Sequence, residues 1–191
     1  MKNEQGYVPS EWRTVNDLVR TALNGSGAWL GTLRIGNAAF EFDFFIEAES
    51  QVKEVLSLLE KALGRAILCS QLENPSKGMS KEEKLDAAKK LFNEERYWEC
   101  HSVLEELWLE AGGKKSRNSE ALLLQGLIQV AAAFVHHQKA EDGVGLSLLR
   151  VAKEKLEVWP QEVFLSMNVA SLKVRVRDAL QKEKLVEFQL S

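Results

Sequence analysis

Apolar residues recur at helical spacing over most of this chain and at alternate positions over one short stretch. The alternating stretch comes early. Residues 29–35, the pair Gly36-Asn37 and residues 38–46 read as two strands about a tight turn, with Phe40, Phe42 and Phe44 alternating with Glu41 and Asp43. Helical stripes flank it. Trp12, Val15, Leu18, Val19 and Leu23 mark a helix over 11–23 that opens at Pro9-Ser10 and ends at Asn24-Gly25, and Val52, Val55, Leu56, Leu59 and Leu63 mark another over 50–63 that closes at Gly64. A third strand is expected over 65–69. Residues 1–70 therefore predict a small α/β unit. Residues 71–79, with Asn74, Pro75, Ser76 and Gly78 and no apolar period, predict a linker.

From residue 80 to 191 the pattern is helical throughout. Ser80 and Glu83 have the spacing of a capping box, and Leu85, Ala88, Leu91 and Phe92 form the stripe behind it. Residues 97–110 carry Tyr97, Trp98, Cys100, Leu104, Leu107, Trp108 and Leu109 on one broad arc, leaving Glu99, Ser102, Glu106 and Glu110 for solvent. Residues 119–138 are apolar almost all round, the mark of a central helix. Leu146, Leu149, Ala152, Leu156 and Trp159 give the buried side of a helix over 144–159 closed by Pro160, and a last helix is expected over 169–185. The predicted fold class is mainly α: a compact helical bundle domain, residues 80–191, preceded by the small α/β unit and its β-hairpin.

Two polar sets interrupt the apolar surfaces. His101 and Glu105, one turn apart, fall inside the arc of 97–110, and Gln125, Gln129 and His136 share one side of the central helix with Ala132 among them. Antiparallel packing is expected to bring these five residues together, because a short connection makes neighbours in space. Three readings follow. The five can satisfy one another as a buried network that sets the helix register; they can line a site for a small polar ligand; or His101, Glu105 and His136 can hold a divalent metal as a two-histidine, one-carboxylate set with open positions for water. Five tryptophans raise another class, a protein-interaction module or a homodimer seam, should one of them stand exposed.

The run FNEERYWECHSVLEELW followed by LQGLIQVAAAFVHH resembles domain-of-unknown-function family 309, small helical proteins that share a Phe-Glu-Ala-His-Glu-x-Leu-Glu-Glu-x-Trp run and a Leu-Gln-Gly-Leu-Ile-Gln run. Glu99, His101, Leu104, Glu105, Glu106, Trp108, Gln125, Gly126 and Gln129 fall on that pattern, and the resemblance covers about residues 80–160. Ser102 stands where the family usually has Glu, and Trp98-Glu99-Cys100 replaces Phe-Glu-Ala. The resemblance implies a helical fold and carries no activity with it. Within this domain Tyr97, Cys100, Leu104 and Leu107 also echo one tetratricopeptide hairpin, with no second copy at that period.

Composition narrows the classes further. In 191 residues, 45% apolar and 28% charged, the chain has the make-up of a globular protein. A net charge of −3 argues against a general phosphate-backbone binder, so no nucleic-acid partner is expected. No membrane partner is expected either, because Gln125 and Gln129 break the longest apolar stretch. Cys69 and Cys100 have no metal-binding spacing, which favours a reducing, cytoplasmic location and a core role for Cys100. Neither a reaction nor a substrate follows from these residues.

Overall fold

The computed structural model describes residues 1–37, 39–65 and 78–191. The expected strand over 65–69 and linker over 71–79 fall almost entirely outside them. The chain forms two compact units, Met1–Leu72 with Gln138–Ala140, and Glu73–His137 with Glu141–Ser191.

In the first unit a short 3₁₀ turn, Pro9–Glu11, leads into α1, Trp12–Leu23. Strands β1, Trp29–Ile35, and β2, Phe40–Phe45, pair antiparallel, with a register shift between Leu30 and Leu33, and α2 spans Val52–Leu63. The predicted alternation places its phenylalanines inward. Phe40 is buried and Phe42 and Phe44 pack against a core of Val15, Val19, Leu33, Ile35, Val55 and Leu59. The same register buries Arg34, whose Nε lies 3.1 Å from Glu41 Oε2 across the hairpin.

The second unit is a chain of antiparallel neighbours: α3, Lys81–Asn93; α4, Tyr97–Glu110; α5, Ser119–His137; α6, Asp142–Glu157; and α7, Val169–Gln181. Ser80 caps α3 as the sequence predicts, its hydroxyl accepting from Glu83 N while Glu83 accepts from Ser80 N. Just past the end of α3, Glu95 holds the left-handed region (φ 62°), and Glu95 N and Arg96 N donate to the Phe92 and Leu91 carbonyls. α5 is sandwiched between α4 and α6, as expected of a helix apolar on nearly every side.

Glycine sets the α5–α6 distance at two points. A methyl at Gly126 would stand 3.1 Å from the Leu156 side chain, and one at Gly145 would stand 2.8 Å from the Ala133 carbonyl oxygen. The helices therefore pack almost backbone to backbone.

Two features were not expected. Val163–Phe164 and Met167–Asn168 form β3 and β4, a minimal hairpin between α6 and α7. The last helix ends four residues early, at Gln181, and residues 182–191 run back over the bundle without regular structure. That tail is pinned by Phe188, 5.4 Å from both Phe92 and Phe134, and by the Asn93 side chain, which bonds both N and O of Leu190.

The outer face of the central helix hairpin

The face of α4 that meets the core consists of Tyr97, Cys100, Val103, Leu104, Leu107 and Trp108. It lies on the Val103 side of the arc read from the sequence. Trp98 and Leu109, expected inside, are exposed, and Glu105 is exposed with them. Of the carboxylates assigned to solvent, Glu110 is exposed, and Glu99 and Glu106 are half-buried. Glu106 and Glu110 hold the buried Lys84 of α3 at 3.3 and 2.5 Å, and Arg96 donates to Glu99 at 2.7 Å. These contacts raise the Lys84 pKa, the Glu110 hydrogen bond most.

His101 stands at the margin of this face. Its half-buried ring stacks on Trp98, centroids 5.6 Å apart and planes within 8°. Burial lowers its pKa and the Glu105 carboxylate partly opposes that. Cys100, fully enclosed, has its thiol pushed up by burial, so it is a core residue with little thiolate.

The polar side of α5 is real but looks outward. Leu122, Gln125, Gln129, Ala132 and His136 are all half-buried and form the least covered stripe of a helix otherwise closed in. Its neighbour there is α6. Lys155 Nζ donates to Gln125 Oε1 at 2.9 Å, and the close approaches at Gly126 and Gly145 fix the antiparallel register. Counting from these contacts at about 1.5 Å per residue sets Gln129 level with Val151, Ala132 with Leu148 and His136 with Val144. The Tyr97–Phe134 ring contact, 5.1 Å, likewise sets His101 level with Gln129 and Val130.

The five expected site residues therefore do not form one convergent cluster. Gln125 is bonded to Lys155; His136 Nδ1 lies 2.5 Å from Glu141 Oε2 at the end of the helix; Glu105 faces solvent. The metal set of His101, Glu105 and His136 is not assembled. His136 is six residues past the level of His101, roughly 9 Å along the axis, and among the described residues no group of three or more His, Cys, Asp or Glu side chains could hold a metal ion. His137, beside it, bonds Asp142 at 2.7 Å and sets its ring edge-on to Phe134.

Gln129 is the exception among the five. Its Oε1 is shielded from water and has no hydrogen-bond partner among the described residues. A buried acceptor left unpaired costs on the order of 1–3 kcal/mol, and native proteins rarely keep one without a use for it. Around it lies a set of side chains that the sequence reading passed over. Val144, Val151 and Val158 of the α6 segment are 47, 40 and 48% exposed, and Leu148 is half-buried between the first two. The signal was present as a seven-residue spacing on the side of α6 opposite Leu149, Ala152 and Leu156.

Two cavities lie elsewhere. One of 460 Å³ in the first unit is bordered by Arg20, Trp29 and Glu47, and one of 140 Å³ lies beside Tyr97, Glu187 and Phe188. Neither is lined by any of the five residues.

The helices α3 to α7 make an antiparallel helical domain in which α5 and α6 approach closely at Gly126 and Gly145. Within it, residues 85–148 match the model of the family described as Domain of unknown function (DUF309), and the N-terminal part has no family match. No curated protein matches the chain.

Proposed function

We propose that the helical domain is a protein-interaction module and that its docking surface is the outer face of α5 and α6. The observation that carries this reading is the row of exposed valines on one face of the α6 segment, Val144, Val151 and Val158. Interfaces combine apolar area that gains by leaving water with polar groups at its edge. Gln125, held by Lys155, supplies an amide at the edge of the same patch. A small-ligand site calls for an enclosing cavity; a ridge of valines about 21 Å long, at 14 residues of helix, suits a second helix better.

The test compares two faces. Affinity capture with the full chain is quantified for the wild type, for Val151→Arg and for Glu105→Arg, together with the self-association of each. Both substituted residues are exposed, so the fold should tolerate either change. Val151→Arg should lose association that Glu105→Arg retains. Equal retention by all three overturns the reading.

A further inference from the structure

We propose that the 460 Å³ cavity of the first unit binds a free aromatic α-amino acid, with Arg20 taking its carboxylate, Glu47 its ammonium and Trp29 its ring. The site is separate from the α5–α6 face and belongs to the part of the chain that has no family match. The cavity lies where α1 ends and β1 begins. Its volume is that of a small-molecule site, and the buried Leu23 and Leu30 give it an apolar floor.

Trp29 forms one wall. It is 53% exposed yet held in a fixed orientation: across the hairpin it pairs with Phe45, and the two rings stack 5.6 Å apart with planes within 17°. Gly31 makes room for this stack, because a methyl there would stand 2.7 Å from the Phe45 ring. A flat aromatic surface fixed at the edge of a cavity favours a flat partner.

Arg20 and Glu47 supply the charges. Both line the cavity and both are exposed. Neither side chain has a hydrogen-bond or ion-pair partner among the described residues, so the two do not neutralise each other. A ligand with a carboxylate and an ammonium on one carbon bridges them, making a charge-assisted bond at each end. An anion or a cation alone leaves one of the two unmatched.

The walls are tied together within the chain. Gln51 Oε1 accepts from Glu47 N at 3.1 Å and from Ala48 N at 2.9 Å, and its Nε2 donates to Ser26 O at 3.2 Å. One side chain thus joins the Glu47 segment to the α1–β1 loop. Ser26 Oγ in turn donates to the Leu23 carbonyl and accepts from Ala28 N, which fixes the loop on its other side. A site pinned in this way loses little freedom when a ligand enters.

Calorimetric titration of the full chain with L-phenylalanine, L-tyrosine and L-tryptophan tests the site. L-Alanine, phenylacetate and phenethylamine serve as probes lacking the ring, the ammonium and the carboxylate. At least one aromatic amino acid should bind, and each deficient probe should bind at least about tenfold more weakly. Arg20→Ala should weaken the amino acid to the level of phenethylamine, Glu47→Gln to the level of phenylacetate, and Trp29→Leu by about tenfold. Arg20 and Glu47 are exposed, so their variants should melt with the wild type. Three results overturn the proposal: no binding of any aromatic amino acid at millimolar concentration, binding that all three variants retain, or a deficient probe that binds as tightly as the amino acid.

Discussion

At the scale of single residues, two glycines one turn-half apart in α6 separate packing from propensity. Gly143 has open space where a side chain would go, whereas a methyl at Gly145 would run into the Ala133 carbonyl oxygen. Gly143→Ala should raise stability by up to about 1 kcal/mol, the helix preference of alanine. Gly145→Ala should lower it by roughly 1–3 kcal/mol through overpacking against backbone that cannot yield. Urea unfolding of both variants checks the pair, and equal effects would mean the α5–α6 approach is looser than described. His101 gives a pH-dependent counterpart. Burial lowers its folded pKa below the ordinary 6.5, so as pH falls the unfolded chain takes up the proton first and stability is lost from about 6.5 downward. His101→Phe, which keeps the stack on Trp98, should flatten that loss in melting curves taken between pH 7.5 and 5.5. Glu105→Gln should move the His101 titration lower still in an NMR experiment, because the opposing carboxylate is gone.

At the scale of elements, the helices were legible and the facing of one of them was not. The stripes of α1, α2, α3 and α7 needed only spacing and caps, and the hairpin needed only the alternation of Phe40, Phe42 and Phe44. For α4 the arc extended at one edge to Trp98 and Leu109, and Val103 beyond its other edge was left out. The core takes Val103 and leaves Trp98 and Leu109 exposed. Moving the arc toward Val103 carries Glu105 to the solvent side and His101 to the margin, which dissolves the expected cluster. α5 went the other way. Its polar side was read correctly as Gln125, Gln129 and His136, yet a sequence cannot say whether a polar side on a nearly all-apolar helix meets a neighbour or solvent. The two-residue strands and the tail over 182–191 follow from tertiary contacts such as Asn93 with Leu190, 97 residues apart in the chain, and no local pattern announces them.

At the scale of the molecule, the chain joins a compact α/β unit with no family match to a helical domain matched over residues 85–148. The interaction reading belongs wholly to the second. There α5 meets α6 closely at Gly126 and opposite Gly145 and, between those points, carries the half-buried Gln129 amide. Stability and recognition are thus placed on adjoining stripes of one helix, so substitutions at Gln129 should separate them. Replacing an unpaired acceptor by a side chain of similar shape removes a cost, whereas replacing a bonded one removes a contact.

Melting curves of Gln129→Met and Gln125→Met against the wild type put this to the test. Gln125→Met loses the Lys155 bond and should fall by roughly 0.5–1.5 kcal/mol, a few degrees for a chain of this size. Gln129→Met should melt at or above the wild type. A fall as large as that of Gln125→Met would show that the Gln129 amide already has its partner inside the fold, and would contradict a shielded acceptor left unpaired there.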